Sequence, residues 1–571
     1  MRRLDRAWRK AALATLASAF AAAMVVSTAG AAGAAGQSAA APDPLRKINH
    51  IVVIYEENHS FDNLYGGWEG VNGRANADAA HTLQVGQAVP HVPYHCLLQN
   101  DVNLTSPPLS VECTDTTTAT TFTSHFFNEP FSIEQYIPRD AHTCPQPGVF
   151  APNGLTPNPA NLPGGCTRDI VHRFYQEQYQ LNGGQQNLYT TGSDAVGLTQ
   201  GYYNTKALPI YDYLHGGNHP HYAIADNFFQ AAFGGSFLNH QWLVAAATPT
   251  WPGGPASQHS IIDSNGMPNT YALYHPTGPV LDRPLTQVCP SAVPGRACGD
   301  GAVNTIQPAF QPFKGSPQLP PQSGNTIGDE LSSAGVSWAW YSGGWSNADG
   351  DVGGPGWTNG LVPGVCADPD SAPNPVWPYC PNKVFQFHHQ PLNYYASFAP
   401  GTPGRTHLRD EQEFIQNVNS SSSQCNLNAV SFVKPVGLEN EHPGYTSESR
   451  GSSHLVQLLE AIRNSSCSKD TMVVVTYDEF GGQWDHVSPP GQGTAGPHDE
   501  WGPGTRLPTL ILSPFLHGNF VVDHTQYDTT SILATIEHRY GLPALGPNTR
   551  DGQVNDLSGV FSAKQYEAAG H

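Results

Sequence analysis

The chain has 571 residues, 46 acidic against 26 basic side chains for a formal charge of −20, and 25 histidines. That length is enough for a large core. The acidic balance, with no Lys/Arg cluster beyond the first residues, excludes a nucleic-acid partner.

Residues 1–41 join a basic start (MRRLDRAWRK), an apolar Ala-rich run and a small-residue stretch, the pattern of a secretory signal peptide; an uncleaved anchor is the alternative. No later stretch is apolar enough for a stable membrane span, so residues 42–571 are expected to form a single catalytic domain. The cysteines fall as near neighbours: Cys96/Cys113, Cys144/Cys166, Cys289/Cys298, Cys366/Cys380 and Cys425/Cys467. None lies in a CxxC arrangement, so the expectation is up to five local disulfides made in an oxidising compartment, hence a secreted or periplasmic protein.

In chain order, residues 47–55 (KINHIVVIY) read as a buried strand that hands Glu57 and Asn58 to a glycine-containing loop. Those two are hard oxygen donors for a divalent cation, or an Asx turn capping a helix. Residues 75–165 read as long disulfide-pinned loops over the site, and 169–181 as a helix with Asp169 as N-cap and His172 in its first turn. In 222–248 an apolar run ends at Phe233, two glycines follow, and Ser236 opens a helical stretch to Ala247. At a helix N-terminus Ser236 is either a simple cap or a hydroxyl poised beside an anion-binding site. Residues 326–334 and 336–341 read as helix then strand. His388 and His389 sit among aromatics in 385–395, where an extended chain would point only one of them at a site. Residues 428–435 form a strand delivering Glu441 and His442, 451–464 a helix, 472–476 a buried strand, 507–513 another, and 531–540 a final helix. The strand at 472–476 ends on Asp478-Glu479, Gly481-Gly482 and Trp484-Asp485-His486: either an acidic surface turn or a site at the carboxyl edge of a sheet.

This alternation predicts an α/β fold: a central, mostly parallel sheet with helices on both faces and long loop insertions. Strand ends supplying Glu57/Asn58, Glu441/His442 and Asp478/Glu479/His486 beside Ser236 suit metal-assisted phosphoryl transfer. An acyl hydrolase would need a G-x-S-x-G elbow, which residues 234–236 lack. A secreted binding protein with a degenerate site is the competing class, and the intact set of acids and histidines argues against it.

Residues 55–62 (YEENHSFD), 233–240 (FGGSFLNH), 440–444 (NEHPG) and 477–490 (YDEFGGQWDHVSPP) resemble the motifs of the bacterial phosphoesterase family, over roughly residues 47–545. That family holds secreted phospholipases C and acid phosphatases, on a fold related to alkaline phosphatase. The resemblance implies Ser236 as a nucleophile that phosphate esterifies transiently. It implies Glu57, Asn58, Ser236, Asp478 and Glu479 as ligands of a divalent metal ion (Mg, Ca, Mn or Zn), and His172, His388, His389 and His442 as lining the phosphate pocket. His486 is expected to line the pocket too. The serine at position 236, the HRFYQEQYQLNGG run, the HHQP segment and a chain ending soon after the core resemble the acid phosphatase branch. The implied substrate is a small phosphorylated molecule, with phospholipid head groups as the alternative.

Overall fold

The strand β1 (His50–Glu56) carries apolar residues at every position from Ile51 to Tyr55, and each is buried. Alternate side chains of a strand point to opposite faces. Ile51, Val53 and Tyr55 therefore enter one core, and Val52 and Ile54 a second. Such a strand has no solvent face and belongs at the centre of a sheet covered on both sides.

The computed structural model describes residues 43–99, 110–117, 121–135, 137–140, 169–290, 293–366, 376–382 and 385–567. The expected signal peptide at 1–41 and the Cys144/Cys166 pair lie outside them. After β1 the main-sheet strands are β2 (Tyr222–Ala225), β3 (Trp338–Ser342), β4 (Leu408–Asp410), β5 (Val430–Lys434), β6 (Thr471–Tyr477), β7 (Thr509–Leu512) and β8 (Phe520–Asp523). Their spatial order is β4-β3-β5-β1-β6-β7-β2-β8. All pairs are parallel except the two made by β7, which runs antiparallel to β6 and β2.

The helices that matter below are α1 (Phe61–Leu64), α2 (Phe174–Leu181), α3 (Pro209–His215), α4 (Ser236–Ala245), α5 (Ile327–Ser333), α6 (Glu411–Ser420), α7 (Glu448–Asn464) and α8 (Thr530–Tyr540). Apolar residues of α4, α5 and α8 pack on one face with Ile51 and Val474. Those of α3, α6 and α7 pack on the other with Val52 and Val475. Each fully buried Leu, Ile or Val contributes roughly 1.5–3 kcal/mol, and a charge placed at Val475 would sit in that core without a partner. The described residues from Pro44 onward form one compact unit. The four described cysteine pairs join as expected, Cys96–Cys113, Cys289–Cys298, Cys366–Cys380 and Cys425–Cys467, each closing a local loop.

Several expectations need correction. Helix α2 starts at Phe174 with Arg173 as its N-cap, so Asp169 does not cap it and His172 precedes it. The side chain of Asp194 accepts from the Val171 amide at 2.9 Å, which holds this entry extended. The segment Phe387–His389 is a 3-10 turn, not an extended run. Ser236 is the first residue of α4 and Gly235 is its N-cap. Helix α7 begins three residues before the expected start, where the Ser447 side chain accepts from Arg450 N. The short strands β4 and β8 gave too little pattern to be read.

Candidate active site

Strand register brings the acids together. β1 and β6 are parallel neighbours with Glu56 opposite Tyr477, so Glu57 and Asp478 leave the sheet side by side. The Asp478 amide donates to Glu56 O at 3.1 Å and the Glu57 amide to Asn440 O at 2.8 Å, which ties the strand ends to each other. Past Glu479 the chain reverses through Gly481 at φ 63°, a conformation favouring glycine. A Cβ there would lie 2.1 Å from Asn58 O, so only glycine lets this loop close onto Asn58.

Ser236 arrives from the other side of the turn. Gly234, at φ 89°, would place a Cβ 2.5 Å from the Phe174 amide nitrogen, so the backbone of this turn touches that of α2. The Ser236 hydroxyl donates toward Glu57 Oε2 and Glu479 Oε1, both at 3.2 Å. Asn58 Nδ2 donates to the same Glu479 oxygen at 2.7 Å, and His172 Nε2 stands 3.4 Å from it. Glu57, Asn58, Ser236, Asp478 and Glu479 are thus one buried group.

Three carboxylates in one water-excluded place demand positive charge. Lys434, at the end of β5 and fully buried, puts its ammonium 2.9 Å from Glu57 Oε1 and donates to Glu56 O at 3.2 Å. Burial pushes the Glu57 carboxyl up, but the Lys434 charge and the contact with His389 outweigh it and hold the group well below the usual range. Asp478 and Glu479 are pushed well up, first by burial, with the charge of Glu57 adding to both. One ammonium does not balance the set. Asn58 Oδ1 and Asp478 Oδ2 are moreover buried and accept no hydrogen bond from the described residues. Unpaired acceptors and surplus negative charge in an all-oxygen donor set fit a divalent cation. The five residues could hold such an ion.

The histidines divide. His172, His388 and His442 line a cavity of about 380 Å³ that opens beside Ser236, together with Arg173. His442 Nε2 lies 3.6 Å from Glu57 Oε2. His389 turns inward, contacts Glu57 Oε1 and stacks on His240 with ring centroids 5.1 Å apart. The 3-10 turn is what lets neighbouring histidines serve both places. Burial brings His389 down to about 4 and His388 well down, so both rings are neutral near pH 7. Glu441 turns away, its carboxylate accepting from the Tyr477 hydroxyl. His486 does not reach this cavity: its Nδ1 rests on Asp62, in a buried network where Arg506 Nε donates to Asp485 Oδ1 at 2.9 Å.

Two members escaped sequence reading. Lys434 is a lysine ending an apolar strand and His240 lies one helical turn after Ser236; a charged residue closing a strand buried on both faces was the available signal.

The phosphoesterase family model matches residues 48–543. The chain belongs to the phosphoesterase family. Phospholipase C A of Mycobacterium tuberculosis is 24% identical over 550 residues, covering 91% of this chain and 78% of that protein. Phospholipase C B of the same organism is 25% identical over 585 residues, covering 97% and 84%. A solved protein of the alkaline phosphatase superfamily from Vibrio parahaemolyticus is 14% identical with a TM-score of 0.21, covering 41% of this chain and 51% of that one. Membership of this family makes the chain a phosphoester hydrolase.

Proposed function

We propose that this phosphoesterase hydrolyses phosphomonoesters through a covalent phosphoserine on Ser236, with Glu57, Asn58, Ser236, Asp478 and Glu479 holding one divalent metal ion. The observation that carries this reading is the Ser236 hydroxyl, first in its helix and 3.2 Å from both Glu57 and Glu479. A bound cation lowers the serine pKa and screens the substrate's charge. The Leu238 and Asn239 amides bond the N-cap carbonyl Gly235 O, which leaves the Ser236 and Phe237 amides at the start of α4 to favour phosphate oxygens. Ser236 Oγ attacks phosphorus in line, its proton passing to an acceptor carboxylate, and the ester P–O bond breaks. His172 or His442, flanking the cavity, protonates the departing oxygen. Water then cleaves the phosphoserine, releasing phosphate and restoring the hydroxyl. The cavity's histidines and arginine suit a small hydrophilic phosphorylated substrate. Disulfides at four described pairs support export to a secreted or periplasmic location, with residues 1–41 as the signal peptide and 42–571 as the catalytic domain. No described helix is long and apolar enough to cross a membrane.

A phospholipase C acting on phosphodiester head groups is the second reading, favoured by the printed names of the two mycobacterial relatives. Hydrolysis of p-nitrophenyl phosphate against p-nitrophenylphosphorylcholine from pH 4 to 8 separates the two. Monoester turnover is expected to dominate. Diester turnover without monoester turnover would replace the first reading by the second.

A further inference from the structure

We infer that Glu177, on α2, is a positioning residue that sets the place of Ser236 by holding the turn before it. This rests on the reading of Ser236 as the nucleophile. Glu177 is completely buried, and its carboxylate accepts from donors of two separate segments, the turn at 230–234 and Thr505. Oε2 accepts from the Gly234 amide and from Gln230 Nε2, the latter at 2.7 Å. Oε1 accepts from the Thr505 amide and hydroxyl, both at 2.8 Å. All four donors are neutral, and no ammonium or guanidinium lies in ion-pair contact with Glu177 among the described residues.

A structural hydrogen bond alone does not call for this arrangement. A buried carboxylate without a cation is costly, and here burial pushes the Glu177 carboxyl up to about 7. What it offers is an acceptor-only head that two pairs of donors can share. Its most consequential donor is Gly234, two residues before Ser236. Because α2 and this turn meet backbone to backbone, no side chain of Gly234 can fix the turn instead. The partner Gln230 extends the clamp. Its Nε2 also donates to Gly234 O at 3.1 Å, while its Oε1 accepts from the Phe480 amide at 2.9 Å. Phe480 follows Glu479 directly, so one Glu177–Gln230 pair references the serine turn to the acidic loop. The far side of the turn is held by Asn239, whose amide oxygen accepts from Ala232 N at 2.9 Å. Remove the Glu177 acceptor and the Gly234 amide is left buried and unpaired, free to pull Ser236 out of line. A misplacement near 1 Å costs roughly 100-fold in rate.

The test is Glu177→Leu, Glu177→Gln and Thr505→Val, each assayed on p-nitrophenyl phosphate with metal content measured by plasma emission. Glu177→Leu is expected to lower kcat roughly 100-fold, with KM and metal content within about threefold of wild type. Glu177→Gln, whose carbonyl oxygen can face Gly234, is expected to recover at least about tenfold of that loss. Thr505→Val removes a donor on the other oxygen and is expected to lower the melting temperature while leaving kcat within about twofold. Should Glu177→Leu not fold, Gln230→Met takes its place with the same criteria. A Leu variant with kcat within threefold of wild type overturns the inference. So does loss of kcat in step with loss of metal, or no recovery with Gln. Ser236→Ala run in parallel separates the two levels: if it stays active the nucleophile reading itself fails, whereas an inactive Ser236→Ala beside an active Glu177→Leu removes only the role of Glu177.

Discussion

Replacing Lys434 by methionine keeps the apolar stem and deletes the charge that faces Glu57. The ammonium lies 2.9 Å from Glu57 Oε1 with both groups fully buried. At an effective dielectric near 20 that separation corresponds to a gross attraction of about 6 kcal/mol. Breaking one side of a buried pair typically costs ~3–5 kcal/mol, because the remaining charge has no partner. Burial is the largest cause that keeps the His389 ring neutral near pH 7, with the Lys434 charge adding to it, so in the wild type the lysine is the cation that faces Glu57. The expected loss in a metal-free protein at pH 7 is therefore about 3 kcal/mol or more. A bound divalent cation supplies the missing counter-charge, so the loss should shrink to below about 2 kcal/mol in saturating metal. The sign with pH follows from Glu57. Its folded carboxyl is held below the unfolded value, so its contribution is present above about pH 4.3 and fades as pH falls through the folded value. The deficit of the variant should thus hold steady from neutral pH down to about pH 4.3 and diminish only below it. Urea unfolding of both proteins, with chelator and with metal, measures it as a change in midpoint at constant m. An equal loss in the two conditions, or a loss below about 1 kcal/mol in chelator, would refute the reasoning that Lys434 and a cation share one carboxylate cluster.

Three further outcomes follow from other parts of the molecule. Serine at Cys425 and Cys467 opens a loop of 42 residues separation and should cost about 4 kcal/mol in the chain-entropy limit, read by urea unfolding; kcat on p-nitrophenyl phosphate should not move, as Cys467 precedes the start of β6 while Asp478 follows its end. Glu537 on α8 has its carboxyl pushed up to about 9, by burial first and then by Asp551. The folded state therefore holds a proton that the unfolded chain has released, and stability falls as pH rises between about 4.3 and that value. Glu537→Gln should raise the melting temperature at pH 8, change it little at pH 5, and flatten the profile between. Chelation should abolish turnover and lower the melting temperature together, and readdition of a divalent ion should restore both; activity that survives exhaustive chelation would contradict a metal held by Asn58 and Asp478.

Much of this was legible because buried parallel strands leave a strong mark. The runs around Val52 and Val474 have no polar side, so their place in the sheet and the position of the groups following them could be read directly. Glu57, Asn58, Asp478 and Glu479 are legible for that reason: they are the first residues after such strands. Direction was not legible. The apolar run at Thr509–Leu512 reads the same whether parallel or antiparallel, and only its neighbours decide. That His388 and His389 both serve the site was not legible from local pattern, because a 3-10 turn depends on contacts made after folding, whereas the extended reading rests on local pattern alone. Lys434 and Glu177 share a different obscurity. Each is a charged residue whose partners lie far away in sequence, and nothing local distinguishes Glu177 from a solvated helix position.

The central claim is that phosphate passes through Ser236. Acid-quenching the wild-type enzyme during turnover of a ³²P-labelled monoester, followed by peptide mapping, tests it most directly. The account predicts label on Ser236 in the wild type and neither label nor turnover in Ser236→Ala. Label on another residue, or a Ser236→Ala protein that turns over at the wild-type rate, would contradict it.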